Sequence, residues 1–143
     1  MRGGSRDYCI LRRFMEIGTE WLVEAAGCRA EALRDPALLD ELFRRVIDDL
    51  ELKPLHAPAW HVFPDPGGVT GFVMLSESHL ACHTYPEHGL AAINLYCCRP
   101  RPEWPWERRL AEILGATEVR VRVVARSLYE HPLINAAAPE MCR

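Results

Sequence analysis

Apolar and polar positions change their period along this chain, and each change predicts an element. GTEWLVEAAGC (18–28) alternates acidic and apolar residues, the period of a half-buried strand. Asp35-Pro36 then predicts a helix start, an N-cap followed by proline at the first helical position. Leu38, Leu39, Leu42, Phe43, Val46, Ile47 and Leu50 follow with helical spacing, so one face of that helix is apolar. LKPLHAPAWHVF (52–63) reads as extended, with prolines that suit a sheet edge, and PDPGG (64–68) as a turn. VTGFVMLS (69–76) reads as a buried strand and HLACHTY (79–85) as another, closed by Pro86. AAINLYCC (91–98) alternates again, with Asn94, Tyr96 and Cys98 on one face. RPRPEWPWERRLAEILG (99–115) predicts a loop and a short helix ending at Gly115. TEVRVRVVAR (117–126) is an alternating strand, with Val119, Val121 and Val123 inward and Arg120 and Arg122 outward.

The order is therefore β-α-β-β-β-β-α-β. Short links between successive strands favour antiparallel pairing. Two main helices on one face of such a sheet make a two-layer α+β sandwich. The patterned sequence predicts a single domain over 17–128, with an N-terminal extension at 1–16 and a C-terminal tail at 129–143. Met15, just before the pattern begins, is an alternative start to Met1.

Composition narrows the function classes. Hydrophobic residues make up 49% and charged ones 26% of 143 residues, as in an ordinary globular domain. The net charge is −3 and no basic patch stands out, which argues against nucleic acid. No apolar run is long enough to span a bilayer. MRGGSRDYCILRRFM lacks the apolar core of a secretory signal. The six cysteines are accordingly expected as free thiols in the cytoplasm.

The unusual chemistry lies in FVMLSESHLACHTYPEHG (72–89), where an apolar run enters a cluster of serines, glutamates and histidines. His79 and His83, with Cys82, His88, Cys97 and Cys98 nearby, raise the question of zinc. In a strand, residues 79, 81, 83 and 85 share a face, so the two histidines can still converge. A histidine pair is a weak motif, and no metal is assigned. Ser78 is not in a G-x-S-x-G elbow, because positions 76 and 80 are Ser and Leu. Cys98 with His83 would make a thiol nucleophile, whereas simple packing accounts equally well for Cys97 and Cys98. Spacing alone does not choose.

GGVTGFVMLSESHLACHTYPEHGLAAINLYCC (67–98) resembles the core of the bacterial S-adenosylmethionine decarboxylase proenzymes. The features that carry the resemblance are G-V-[ST]-G, an apolar strand, S-E-S-H, H-T-aromatic-P-E, G-x-A-A and a cysteine after an alternating strand. The resemblance extends from about residue 17 to 126. It implies self-cleavage between Glu77 and Ser78, giving a β chain (1–77) and an α chain (78–143) that begins with a pyruvoyl group. On this pattern the Ser78 hydroxyl attacks the Glu77 carbonyl and the amide becomes an ester. Elimination then leaves dehydroalanine, which hydrolyses to the pyruvoyl cofactor. Backbone strain at the end of the strand is expected to assist the shift.

The same resemblance implies roles for individual residues. His83 matches the processing histidine. Thr70 stands at a processing serine and keeps the hydroxyl. Cys98 matches the cysteine that protonates the carbon left after decarboxylation. Phe63, Tyr85 and Glu87 match substrate-binding positions, the aromatic residues for adenine and the carboxylate for ribose. Cys97 has no implied role, and whether His79 does chemistry or packs is open. The pyruvoyl ketone would form a Schiff base with the substrate amine and accept electrons as carbon dioxide leaves.

The implied activity is decarboxylation of S-adenosylmethionine, supplying aminopropyl groups for spermidine, by a homodimer of αβ units. Tyr85 replaces the usual tryptophan, and PDPGG is one residue longer than the family loop. These departures keep ornithine and arginine as alternative substrates, with Asp65 as a candidate partner for their distal cation. A non-catalytic or zinc-binding α+β module is the remaining alternative.

Overall fold

The computed structural model of this protein describes residues 16–127. The predicted N-terminal extension, the choice between Met1 and Met15, Cys9, Cys142 and the C-terminal tail lie outside the described residues. Within them, each predicted strand and both predicted helices form. The first strand, β1, runs Glu16–Ala26, and a four-residue helix, α1 (Ala30–Leu33), follows it. Helix α2 (Pro36–Asp49) starts as its sequence dictates: the Asp35 carboxylate accepts a hydrogen bond from the Ala37 N–H at 2.9 Å. Strands β2 (Ala59–Val62), β3 (Val69–Met74), β4 (Ser78–Tyr85) and β5 (Leu90–Cys97) come next, with a single 3-10 turn at Pro86–His88. Helix α3 (Trp106–Leu114) ends on Gly115 at φ 74°, and β6 (Glu118–Ser127) completes the described chain.

The strands form one sheet in the order β2-β3-β4-β5-β1-β6, with every ladder antiparallel. Alternation gives the sheet two different faces. Trp21, Val23 and Ala25 of β1, Val69 and Val73 of β3, Leu80 and Cys82 of β4, and Ile93 and Leu95 of β5 are buried in the core. They share it with Leu39, Leu42, Phe43, Val46 and Ile47 of α2 and with Leu110, Ile113 and Leu114 of α3. Each fully buried side chain of this kind contributes roughly 1.5–3 kcal/mol. Thr84 is the buried polar residue of this core, and it is satisfied. Its hydroxyl accepts from the Val69 N–H at 2.8 Å and donates to the Leu33 carbonyl at 2.7 Å.

The opposite face is bare. Phe72, Met74 and Val124 stand 43%, 45% and 42% exposed on it, beside His79, His83 and Tyr96.

Several local expectations change. Helix α1 is an addition, too short to carry its own periodicity. Residues 69–74 alternate, with Val69, Gly71 and Val73 buried and Phe72 and Met74 exposed, because one face of β3 has no cover. Only 59–62 of the segment 52–63 pairs as a strand; Pro54 makes an isolated bridge to Leu75. Gly71 accommodates the Trp60 ring, since a β-carbon there would sit 2.1 Å from it. Val123 is 53% exposed instead of inward, because β6 is an edge strand and its far end passes the helical layer.

Candidate active site

Strand β4 carries chemistry at both ends, and its neighbours fix what each end can touch. At its first residue, Ser78 pairs with Cys97 across the β4–β5 ladder. The Ser78 hydroxyl lies in hydrogen-bonding contact with the Cys97 thiol. Burial pushes the Cys97 thiol pKa up, while Arg101 and the Ser78 hydroxyl oppose that rise. The next N–H along, that of Cys98, donates to the Glu77 carbonyl at 2.8 Å. The carbonyl that precedes Ser78 is thus held by a backbone donor. Ser76 and Glu77 form the bend between β3 and β4, closed by the Leu75 N–H donating to the Ser78 carbonyl at 3.0 Å. Arg99 pairs with the Glu77 carboxylate at 2.7 Å. Glu77, Ser78, Lys53, Arg99 and Arg101 line a polar cavity of about 240 Å³. Neither Ser76 nor Glu77 at this bend has a positive φ; Glu51 is the positive-φ residue other than glycine among the described residues.

Cys98 is exposed, on the bare face of the sheet, whereas Cys97 is buried on the other. Tyr96 lies beside Cys98, and its phenol pKa is raised by desolvation and then by the Cys98 thiol. The ring of Tyr96 is flanked by His79, with centroids 5.7 Å apart, and by the Arg126 guanidinium, 5.5 Å from its centroid. His79 itself packs: Nε2 meets the Asn94 side-chain oxygen at 3.1 Å, and Asn94 donates to Glu20 at 2.8 Å. Arg126 reaches the same Glu20 carboxylate at 3.4 Å. This settles His79 as a member of a hydrogen-bonded network. Arg122 pairs with Glu24, so it too is engaged on that face.

The other end of β4 builds a second cavity, of about 400 Å³. Thr70 and His83 are cross-strand partners, and Thr70 Oγ1 meets His83 Nδ1 at 2.9 Å. That bond fixes the ring and leaves Nε2 as its other polar atom. Phe63, Tyr85 and Glu87 line the same cavity, with Asp65 from the loop after Phe63. Phe63 and Tyr85 are 49% and 44% exposed, so neither is a core residue. The edge of one ring in the His61–Phe63 pair meets the face of the other at 4.5 Å between centroids. The cavity is of the size that encloses a small-molecule ligand, with aromatic walls and a few polar groups.

Five of the predicted residues (Thr70, His83, Phe63, Tyr85 and Glu87) therefore meet in one cavity. Glu77, Ser78 and Cys98 meet elsewhere. Ser78 and His83 are five residues apart on one extended strand, about 16 Å. A Cys98–His83 nucleophile pair within one chain fails for the same reason, since His83 pairs with Ala92 and not with the end of β5. His79 and His83 share a face but lie about 13 Å apart, so they do not converge on one ion. Sequence reasoning missed the Cys98 N–H on the Glu77 carbonyl and the contact between Cys97 and Ser78. Neither has a motif, because each depends on the register of β4 against β5. Burial also pushes the Cys82 thiol pKa up to about 12, against a smaller opposing hydrogen bond from Gly71, and keeps it a neutral core residue.

The model of the S-adenosylmethionine decarboxylase family matches residues 19–127. The S-adenosylmethionine decarboxylase proenzyme of Caldicellulosiruptor saccharolyticus is 34% identical over 122 residues, covering 82% of this chain and 94% of that protein. The proenzyme of Clostridium tetani is 35% identical over 129 residues, covering 87% and 98%. Among solved structures, the adenosylmethionine decarboxylase from Aquifex aeolicus superposes with a TM-score of 0.66 at 25% identity, over 80% of this chain and 94% of that one.

Proposed function

This chain belongs to the S-adenosylmethionine decarboxylase family, and from that membership we propose that it decarboxylates S-adenosylmethionine with a pyruvoyl group made from its own Ser78. The product would supply aminopropyl groups for spermidine. The observation that carries the reading is the hydrogen bond from the Cys98 N–H to the Glu77 carbonyl. In the acyl shift, Ser78 Oγ bonds to the Glu77 carbonyl carbon and the bond from that carbon to the Ser78 nitrogen breaks. The hydroxyl proton ends on that nitrogen. Negative charge gathers on the Glu77 oxygen as the new bond forms, and a fixed N–H donor at that oxygen stabilises it. The residues at this end of β4 fit the group on the chemistry of their donors: the Ser78 hydroxyl directly follows a carbonyl that is held by the backbone N–H of Cys98.

Once formed, the pyruvoyl group supplies a ketone for the substrate amine and a sink for the electrons of the breaking carbon–carboxylate bond. The chain's own residues do the rest. Phe63 and Tyr85 offer aromatic faces to adenine, and the Glu87 carboxylate accepts from the ribose hydroxyls. The Cys98 thiol delivers the proton that replaces carbon dioxide. His83, oriented by Thr70, moves protons during self-cleavage.

One chain holds these parts about 16 Å apart along β4, so we propose that two copies complete each site. The bare sheet face, with exposed Phe72, Met74 and Val124, is the surface such a pairing would cover. On this reading Ser78 and Cys98 of one copy work with Thr70, His83, Phe63, Tyr85 and Glu87 of the other, in a homodimer with two sites. Among the described residues no helix is long and apolar enough to cross a membrane. A reducing cytoplasm suits a mechanism that needs the Cys98 thiol free.

The test is direct. Purified protein analysed by denaturing gel and intact mass should give two pieces of 77 and 66 residues. The larger should end at Glu77, and the smaller should be blocked to Edman chemistry. The same sample should release carbon dioxide from carboxyl-labelled S-adenosylmethionine. A single chain that persists through long incubation would sink the pyruvoyl reading.

A further inference from the structure

The loop after Phe63 places a carboxylate in the substrate cavity that the roles above leave unused. Asp65 lines the cavity together with Phe63, Tyr85 and Glu87, and it has no ion-pair partner among the described residues. The loop that carries it is built firmly. The Phe63 N–H donates to the Gly68 carbonyl and the Gly67 N–H to the Pro64 carbonyl, each at 2.8 Å. Arg34, at the end of α1, donates through Nε to the Pro66 carbonyl at 2.7 Å. Its side chain also packs against Gly67, whose φ of 83° suits glycine. Arg34 therefore holds the loop by its backbone and leaves the carboxylate of Asp65 for something else. The ionisable groups lining the cavity are Asp65, His83, Tyr85 and Glu87, so the cavity is anionic when the carboxylates are ionised. It suits a ligand with a positive centre.

We propose that Asp65 is a specificity-determining residue that pairs with the sulfonium of S-adenosylmethionine, an assignment that rests on the function proposed above. The substrate has one permanent cation, the sulfur between ribose and the amino-acid arm. With adenine against the aromatic faces and ribose on Glu87, the sulfonium would fall within the same cavity, while the amine and carboxylate lead away to Ser78 of the second copy. A sulfonium has no N–H to donate, so a carboxylate recognises it by charge alone. Decarboxylation leaves the sulfonium unchanged. Asp65 then favours substrate, transition state and product about equally, and its contribution appears in KM and not in kcat.

Two nucleoside probes that differ in sulfur charge test this: 5′-dimethylthioadenosine, a sulfonium, and 5′-methylthioadenosine, a neutral thioether. Both are measured as competitive inhibitors of the self-cleaved wild-type enzyme and of its Asp65→Asn and Asp65→Glu variants. Wild type should bind the sulfonium about fivefold tighter than the thioether, the range of a partly exposed charge pair. Asp65→Asn should lose that preference, keep its thioether affinity and its kcat, and raise KM about fivefold. Asp65→Glu should retain the preference. If Asp65→Asn keeps the preference, or weakens both probes equally, Asp65 shapes the loop and does not read charge. Normal self-cleavage with carbon dioxide released from ornithine or arginine, but not from S-adenosylmethionine, would overturn the substrate assignment itself. Absence of cleavage in wild type would overturn the pyruvoyl reading before either.

Discussion

The two ends of β4 differ in what surrounds them. Ser78 sits where the strand meets the Ser76-Glu77 bend, paired with Cys97 at the end of β5, while the Cys98 N–H holds the Glu77 carbonyl. His83 sits next to the 3-10 turn, held by Thr70 of β3, facing an aromatic cavity. The first end joins a hydroxyl to a carbonyl held by a backbone N–H, the groups that the proposed acyl shift uses. The second holds a basic ring beside a ligand-sized space, which is what proton movement and binding need. The extended strand keeps them about 16 Å apart. On the reading proposed above, a site that uses both ends draws them from two chains.

The largest effect should come from breaking the first end. Ser78→Ala should remain a single chain after extended incubation and release no carbon dioxide, because no other hydroxyl stands against the Glu77 carbonyl in the proposed shift. Two pieces on a denaturing gel of that variant would remove Ser78 from its role. The next pair of substitutions should separate the steps. Cys98→Ala should cleave normally yet lower carbon dioxide release about 100-fold, the usual contribution of a positioned proton donor. His83→Ala should slow the cleavage itself by about 100-fold, followed as a time course on the same gel. Equal effects of both substitutions on both steps would erase the distinction drawn here.

A smaller effect tests whether two copies share a site. Ser78→Ala is expected to be inactive alone, and His83→Ala to be nearly inactive at early times because its cleavage is slow. Co-expressed, they should recover about a quarter of wild-type activity, since half of the randomly formed dimers are mixed and each has one intact site. No recovery, in a sample shown by mass to contain mixed dimers, would mean that each site is built within one chain. The smallest change should fall mainly on stability. Thr84→Val strips the buried hydroxyl from the Val69 N–H and the Leu33 carbonyl and should cost about 1–3 kcal/mol in denaturant unfolding. Thr84 also borders the cavity of Thr70 and His83, but its hydroxyl is taken up by those two core partners, so the loss should appear in stability before it appears in cleavage or in turnover of the folded fraction.

Much of the fold was legible because period is a local property. The alternation at 18–28, 91–98 and 117–126 and the helical spacing from Leu38 to Leu50 each produced the expected element. The Asp35-Pro36 start and the Gly115 stop also lie where the sequence put them. The errors came where cover, not pattern, decides. Residues 69–76 read as buried, yet Phe72 and Met74 are exposed because no helix lies over that face. Val123 fits its alternation but lies on an edge strand. For the site, the motif named Ser78, His83 and Cys98 together, and nothing in their spacing shows that the first and second stand apart on one extended strand.

The sequence by itself determined the elements, the side of the sheet on which each residue lies and the types of reactive group. Those follow from propensity, period and composition, which act over a few residues. Only the tertiary structure decided which groups meet. The register of β4 against β5 sets Ser78 beside Cys97 and the Cys98 N–H on the Glu77 carbonyl, and the register of β3 against β4 sets Thr70 on His83. Those registers depend on how strands distant in sequence bury one common apolar face, a condition on the whole sheet that no short window contains.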